Sequence, residues 1–153
     1  GVATDHPYLH EKSTFTSMQA TEMAAERAYA MAGIGPNDID CAEVHDCFTI
    51  TEILDIEDLG FVEKGKGGVA SLEGDTSLTG RIPINTSGGL LAKGHPIGAT
   101  GVAQMVECWW QLRGEAQDRQ VATPNGYALQ HNVGGRGSGV SVVNILTNKR
   151  SPK

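Results

Sequence analysis

The stretch NTSGGLLAKGHPIGATG, residues 85–101, decides how the chain is organised. It holds five glycines around one histidine, His95, which stands between Gly94 and Pro96, and the sequence that follows predicts a helix. The partial positive charge of a helix N-terminus disfavours imidazolium and favours a nearby anion. The pattern therefore predicts a neutral His95 that acts as a base or donates to developing negative charge. The alternative is an ordinary tight loop.

Composition restricts the class of protein. The chain has 153 residues, with 39% hydrophobic and 20% charged residues, which is typical of one globular domain. Its net charge of −6 and lack of a basic stripe argue against nucleic acid as a partner. No apolar run is long enough to span a membrane and no signal peptide is recognisable. Three cysteines without disulfide spacing favour a reducing compartment, and we expect a cytoplasmic protein.

Hydrophobic periodicity predicts one layered α/β domain. The predicted elements are, in order, a helix over 17–32, a strand over 39–44, a helix over 48–60, an extended segment over 81–85, a helix after residue 101, and two strands around the GGRGSG turn at 134–139. Residues 61–81 are predicted to form a loop. No strand is predicted ahead of the first helix, and we therefore expect the chain to be part of a larger protein.

The periodicity also predicts which side chains face the core. They are Ala20, Ala24, Ala28 and Met31 on the first helix; Ile50, Ile53, Leu54 and either Ile56 or Leu59 on the second; and Val102, Met105, Val106 and Trp109 on the third.

The motif HDCF, residues 45–48, is a second candidate site. It stands where a predicted strand ends and a helix begins, which is where ligands gather in open α/β sheets. His45 and Cys47 are two residues apart, so both side chains point to the same side, and the pair could move protons. The alternative is a buried structural cysteine with a capping Asp46. Cys41, His45 and Cys47 are too few for a zinc site, and we predict no metal.

A third glycine cluster, HNVGGRGSG at 131–139, follows a predicted strand. Its backbone N–H groups could form an oxyanion hole. A tight hairpin between two strands explains the same glycines equally well.

Together the three stretches resemble the thiolase family. The GHP loop is highly specific for that family, and HDCF resembles the branch that contains sterol-carrier-protein-type thiolases and archaeal and bacterial acetoacetyl-CoA thiolases. The resemblance covers nearly the whole chain but only the C-terminal half of the family's fold. It implies a thiolase C-terminal domain over 1–153, with a mixed five-stranded sheet that has helices on both faces and whose first strand is missing here.

The resemblance also implies roles for individual residues. His95 would activate a nucleophilic cysteine and bind the thioester oxygen, and His45 would hold a catalytic water where other branches have asparagine. The motif that carries the acid/base cysteine in other branches has Asn132 here, so Cys47 would take over as the proton shuttle. The Gly134 N–H would complete an oxyanion hole. Glycines expected near the substrate are Gly88, Gly89, Gly94 and Gly98.

The family's nucleophile lies in the N-terminal half, which this chain lacks. The resemblance therefore implies half of an enzyme for Claisen condensation of acyl-CoA, or for thiolysis of 3-oxoacyl-CoA, that is inactive alone. The expected partners are the N-terminal domain, a coenzyme A thioester as substrate, and further copies in a homodimer or larger oligomer, with no cofactor. Two alternatives stay open: a thiolase-like aldolase subunit acting on CoA-linked side chains, and a non-catalytic partner subunit.

Overall fold

The computed structural model describes residues 1–5, 14–135 and 139–149, and the described part is built on a four-stranded mixed sheet. The strands are β1 (Val2–Thr4), β2 (Cys41–Glu43), β3 (Tyr127–Gly134) and β4 (Val140–Thr147), in the spatial order β1-β4-β3-β2. β2 is parallel to β3, whereas β4 is antiparallel to both β3 and β1. The centre of the predicted turn between the last two strands, residues 136–138, lies outside the described residues.

Helices cover both faces of the sheet, as predicted. The helices are α1 (Gln19–Ala32), α2 (Thr49–Asp58), α3 (Gly67–Glu73), α4 (Gly89–Lys93) and α5 (Thr100–Arg113). On one face, α1 and α2 contribute to a core that includes Ala24, Ile56 and Leu129. On the other face, Cys108 and Leu112 of α5 pack with Cys41 and Ala128 of the sheet. Successive residues of β2 and β3 therefore alternate between two separate cores.

The prediction that no strand precedes the first helix is wrong. β1 forms the edge of the sheet, and its Ala3 is paired with Ser141 of β4. Three residues are too few for an alternating pattern to be recognised in the sequence. The extended segment at 81–85 instead contributes an isolated bridge between Ile84 and Ala42.

The core faces of α1 and α2 are predicted correctly only in part. Ala20, Ala24 and Ala28 are buried, but Met31, in the last turn of α1, is 84% exposed. On α2, Ile56 and Leu59 are buried, whereas Ile50 is 57% exposed. Asp55 takes an inward position instead, which apolar periodicity could not reveal.

Two short helices occupy segments that the sequence analysis treated as loops. α3 lies within residues 61–81, and α4 lies inside the glycine-rich stretch. Both start at or beside glycines, which have a low helix propensity, and α4 has only five residues. The glycine-rich composition therefore predicted loops, although both segments contain a short helix.

The predicted buried face of α5 is wrong. Val102 is 63% exposed and Trp109 is 54% exposed, with Met105 and Val106 also at the surface. The side chains that α5 buries are mostly polar, namely Thr100, Gln104, Glu107 and Gln111, together with Cys108 and Leu112. The helix thus turns its polar side to its own sheet and its apolar side outward. Within the described ranges, no helix has the length and apolar character required to cross a membrane.

Candidate active site

The structure brings His45 and His95 into direct contact. Their ring centroids are 5.0 Å apart and the ring planes are inclined by 76°, so the rings meet edge to face. His45 follows the carboxyl end of β2, and His95 stands in the loop between α4 and α5. The fold therefore joins two motifs that are fifty residues apart in sequence at one point above the sheet edge.

The hydroxyl of Thr100 is the hydrogen-bond partner of His95 Nδ1. Thr100 Oγ1 lies 2.8 Å from that nitrogen, and it lies 3.1 Å from the Pro96 carbonyl, to which the hydroxyl can donate. When the hydroxyl proton is directed at the Pro96 carbonyl, Thr100 accepts a hydrogen bond from Nδ1–H. Neutral His95 then has an unprotonated Nε2, which is the state that a general base requires. Thr100 was missed in the sequence, although it lies in the first turn of the predicted helix.

His45 is buried and stays neutral over the physiological range. Burial, with smaller contributions from His95 and His131, lowers the pKa of the His45 imidazole to about 4, against an opposing effect of Asp46. Its Nδ1 is buried and has no hydrogen-bond partner among the described residues. A neutral imidazole can offer either an N–H donor or a nitrogen acceptor to a bound molecule. His45 is therefore suited to holding a polar group in place without carrying charge.

Asp46 links the HDCF motif to the glycine stretch. Its carboxylate accepts hydrogen bonds from the backbone N–H groups of Leu90 at 2.7 Å and Leu91 at 3.3 Å, at the start of α4. Asp46 therefore does not cap the helix that follows it, since α2 has Phe48 at its N-cap and no side-chain cap hydrogen bond; its carboxylate binds the start of α4 instead. Gly89 makes this contact sterically accessible, since a Cβ there would lie 2.0 Å from Asp46 Oδ2.

We expect Gly89→Ala to destabilise the chain more than Gly33→Ala. Both glycines have left-handed backbones, with φ of +64° and +68°, but the space around Gly33 is open within 4 Å. The control substitution should cost about 1–2 kcal/mol in backbone strain. Gly89→Ala should cost about 2 kcal/mol more, because it displaces a hydrogen-bonded carboxylate. Urea unfolding of both variants measures the difference, and equal losses would show that Asp46 does not hold α4.

Asn85, at the head of the glycine stretch, was not recognised as a structural residue. Its Oδ1 accepts the Val44 N–H at 2.8 Å, and its Nδ2 donates to Glu52 Oε2 at 2.8 Å. Its φ of 52° is a left-handed conformation that asparagine tolerates better than most residues. Asn85 therefore ties the end of β2, just before His45, to α2. The signal available in the sequence was an asparagine, which tolerates left-handed backbone, at the start of a glycine-rich loop.

The three cysteines lie in different environments. Cys47 is half-buried and its Sγ lies 3.7 Å from Thr51 Oγ1, whereas Cys41 and Cys108 are buried in the core under α5. Burial, reinforced by neighbouring acidic groups, raises the pKa of Cys41 to about 12, and burial raises that of Cys108 well above its usual value. Cys41 and Cys108 are therefore inert thiols, and Cys47 is the accessible one.

Gly134 lies on a groove that the GHP loop also lines. The groove has a volume of about 510 Å³ and extends between Ile97 and Gly98 on one side and the ends of β3 and β4 on the other. Asn132 lies on its wall, and Asn132 Nδ2 donates to Gln104 Oε1 at 3.1 Å. A Cβ on Gly98 would meet no atom within 4 Å, so this part of the loop is open. Gly94 is equally open, and Gly88 has a φ of +91°.

The described side chains contain no group of three or more His, Cys, Asp or Glu residues that could hold a metal ion. Cys41 lies an even number of residues before His45 and Cys47, so it was a third candidate ligand. Its side chain packs instead in the core between α5 and the sheet. The donor set around His95 consists of imidazoles, a hydroxyl and backbone groups. These groups are suited to proton transfer and to binding an oxyanion.

The described part is thus an α/β domain with two histidines in contact at a strand end and a glycine-rich loop ahead of a helix. The family model for the thiolase C-terminal domain-like fold matches residues 1–148. The chain therefore belongs to the thiolase family, and its described part is a C-terminal domain of that family.

Similar proteins include acetyl-CoA acetyltransferases and sterol carrier proteins. The chain is 53% identical over 139 residues to the acetyl-CoA acetyltransferase of Methanothermobacter thermautotrophicus, covering 91% of this chain and 36% of that protein. It is 47% identical over 142 residues to sterol carrier protein 2 of Oryctolagus cuniculus, covering 91% of this chain and 26% of that protein. The chain thus spans about a third or less of the length of these relatives.

One solved structure has the same fold at lower sequence similarity. The Ltp2-ChsH2(DUF35) aldolase superimposes with a TM-score of 0.79 and 22% sequence identity, covering 98% of this chain and 38% of that chain. At this identity the likeness establishes the shared architecture.

Proposed function

We propose that this chain is the C-terminal catalytic half of a thiolase, an acyl-CoA acyltransferase for Claisen condensation or its thiolytic reverse. The observation that carries the proposal is the contact between His45 and His95, with Thr100 holding the Nδ1–H tautomer of His95. This arrangement leaves Nε2 free to take the proton of a nucleophilic thiol. The similarity to an acetyl-CoA acetyltransferase supports the reaction class.

In the proposed reaction, a cysteine of the N-terminal half carries the acyl group. Cys47 removes an α-proton from a second acyl-CoA, and the resulting enolate oxygen is stabilised by His95 and by a water held on His45. The Gly134 N–H stabilises the oxyanion that forms when the enolate carbon attacks the acyl-cysteine, and collapse of this oxyanion breaks the carbon–sulfur bond and releases the nucleophilic cysteine as a thiolate. Asn132 is not a proton shuttle because an amide does not titrate, and its side chain is engaged with Gln104.

The outward apolar face of α5 supports the proposed N-terminal partner domain. This face consists of Val102, Met105, Val106 and Trp109, and burying each such side chain would contribute about 1.5–3 kcal/mol. An amphipathic helix normally buries its apolar side against another element. The relatives are more than twice as long as this chain, and we propose that their additional length includes the segment that covers α5.

The remaining features of the proposal follow from the family. We propose an acyl-CoA substrate, no cofactor apart from that thioester, a cytoplasmic location, and a homodimer or larger oligomer of the full-length protein. An aldolase subunit and a non-catalytic partner are the alternatives, and neither requires the thiol of Cys47. Thiolysis activity that depends on Cys47 therefore separates the thiolase from both alternatives.

His95→Asn in the full-length protein tests the proposal at its central residue. Asparagine retains a hydrogen-bond donor but cannot act as a base, so we expect burst-phase acylation of the nucleophile to slow by about 10²–10³-fold. Coenzyme A affinity should change by less than about threefold, because the substitution removes a proton acceptor and not a binding surface. Rapid-quench kinetics and calorimetry measure the two quantities.

Thr100→Val provides a matched control for the tautomer. Valine keeps the shape of the side chain but removes the acceptor of Nδ1–H, so we expect a smaller loss of acylation than in His95→Asn and a similar coenzyme A affinity. Unchanged acylation in His95→Asn would show that His95 supports the loop without acting as a base.

A further inference from the structure

The turn that carries His45 is held by a buried glutamine of α5. The Asp46 N–H donates to the Val44 carbonyl at 3.1 Å, which closes a three-residue turn with His45 at its centre. The same carbonyl accepts a second hydrogen bond, from Gln104 Nε2 at 2.9 Å. Val44 is fully buried and Gln104 is 1% exposed, so this second bond is shielded from solvent.

The orientation of the Gln104 amide follows from its partners. A backbone carbonyl can only accept, so the amide nitrogen must face Val44 and the amide oxygen must face the other way. On that side, Gln104 Oε1 accepts hydrogen bonds from Gln130 Nε2 at 2.9 Å and from Asn132 Nδ2 at 3.1 Å, both on β3. Gln130 Oε1 in turn accepts a hydrogen bond from Asn144 Nδ2 of β4 at 2.7 Å. The sheet therefore fixes the amide whose nitrogen binds the turn.

One side of α5 serves both histidines of the candidate site. Thr100, whose hydroxyl lies 2.8 Å from His95 Nδ1, stands one helical turn before Gln104 on the same side of the helix. Gly101 lies in the turn between them, and a Cβ there would lie 3.4 Å from the nearest side-chain amide of β3. The helix is thus close to the sheet at the point where it reaches His95 and the turn that carries His45.

We propose that Gln104 is a positioning residue for His45. It holds the Val44 carbonyl, and with it the turn from which the His45 ring meets His95. His45 Nδ1 has no hydrogen-bond partner among the described residues, so the position of the ring depends on its backbone and on its contact with His95. Gln104 touches no substrate and transfers no proton. The inference rests on the proposed function, in which His45 holds the catalytic water.

Gln111 provides a matched control on the same helix. It lies two turns beyond Gln104, is equally buried, and also bonds through both its nitrogen and its oxygen. Its amide donates to the Thr86 hydroxyl at 3.1 Å and to the Arg119 carbonyl at 2.9 Å, and it accepts the Val121 N–H at 2.9 Å. None of these bonds reaches the turn that Gln104 holds. Loss of the Gln111 amide therefore measures the effect of breaking a buried polar network of α5 away from that turn.

The test uses the full-length protein with Gln104→Met, Gln111→Met and His45→Ala. Methionine keeps the approximate length of the side chain but cannot replace the hydrogen bonds of the amide. Outer-shell partners of metal-binding histidines typically contribute roughly 10–100-fold, and we expect Gln104→Met to lower kcat for thiolysis by a factor of that order with KM unchanged. Gln111→Met should leave kcat per folded molecule within about twofold, because distant sites seldom couple.

A double-mutant cycle separates positioning from general damage to the fold. In the His45→Ala background, Gln104→Met should cause no further loss of kcat, because a positioning residue has no effect without the side chain that it positions. Multiplied losses of kcat, or equal effects of Gln104→Met and Gln111→Met, would overturn the positioning role. Should Gln104→Met fail to fold, Gln104→Glu takes its place with the same expected loss, since it keeps the acceptor for the two amides of β3 and loses the donor to the Val44 carbonyl.

NMR of the His45 ring keeps the inference testable apart from the proposed function. Should the wild-type full-length protein show no thiolysis, the proposed function fails and the ring resonances decide the positioning role. Gln104→Met but not Gln111→Met should then shift the His45 resonances. Unchanged resonances in Gln104→Met, or equal shifts in both variants, would overturn the inference.

Discussion

Cys47→Ala in the full-length protein is expected to lower the steady-state rates of condensation and thiolysis by about 10⁴-fold, at the upper end for loss of a general acid–base group. Cys47 is the accessible thiol of this chain, while Cys41 and Cys108 are buried with raised pKa values. Asn132 cannot replace it, because an amide neither gains nor loses a proton to a useful extent near neutral pH. The expected loss is large because the other two cysteines of the chain are buried in the core and cannot replace the Cys47 thiol.

Cys108→Ala is the matched control for that substitution. It removes a buried thiol whose Sγ donates to the Leu129 carbonyl at 3.4 Å, so it should reduce stability and leave the rate per folded molecule unchanged. Near wild-type turnover in Cys47→Ala would mean that Cys47 is a structural cysteine, which is the alternative that the HDCF motif left open.

The 153-residue chain alone is expected to show no thiolysis of acetoacetyl-CoA. The proposed mechanism places the acyl-accepting cysteine in the N-terminal half, and loss of a nucleophile typically removes about six orders of magnitude of rate. The exposed apolar face of α5 gives a second reason, since Val102 and Met105 of that face also line the groove beside the GHP loop. Turnover by the purified chain at the rate of the full-length protein would refute this assignment.

Addition of a separately produced N-terminal half provides the corresponding gain-of-function experiment. We expect activity to appear with the mixture, and Trp109→Glu to weaken that recovery because it places a charge on the apolar face of α5. The outward-facing charge should leave the fold of the C-terminal chain intact, which circular dichroism can verify.

The sequence predicted those parts of the fold that have a strong periodic or terminal signal. α1 ends where Gly33 provides a left-handed C-terminal residue, and its N–H bonds to the Tyr29 carbonyl at 2.8 Å. The long strands β3 and β4 were found because each extends over eight residues. β1 and α4 were missed because three and five residues carry too little pattern.

The faces of α5 could not be predicted from the chain alone for a physical reason. Hydrophobic periodicity identifies the side of a helix that avoids water, but it does not identify which surface covers that side. Here Gln104 and Gln111 point inward because buried polar partners satisfy them, including the Val44 carbonyl at 2.9 Å from Gln104. The apolar face of α5 was predicted correctly, but the prediction that this face packs against the sheet was wrong.

The candidate site was recognised from its motifs, but its supporting contacts were not. The sequence singled out His45, Cys47 and His95, and the fold brings the two histidines together. Thr100 and Gln104 were not singled out, because a threonine in a helix start and a glutamine on a helix are common. Only the tertiary contacts distinguish them from ordinary surface residues.

The most direct test of the central claim is the mass of the nucleophile-bearing protein after mixing full-length Cys47→Ala with acetyl-CoA. In the proposed mechanism, the cysteine of the N-terminal half is acylated with the help of His95, and Cys47 removes the α-proton of the second acyl-CoA. We therefore predict that an acetyl adduct accumulates on the protein while no acetoacetyl-CoA forms. Acetoacetyl-CoA produced at the wild-type rate, or an unmodified protein mass, would contradict the account.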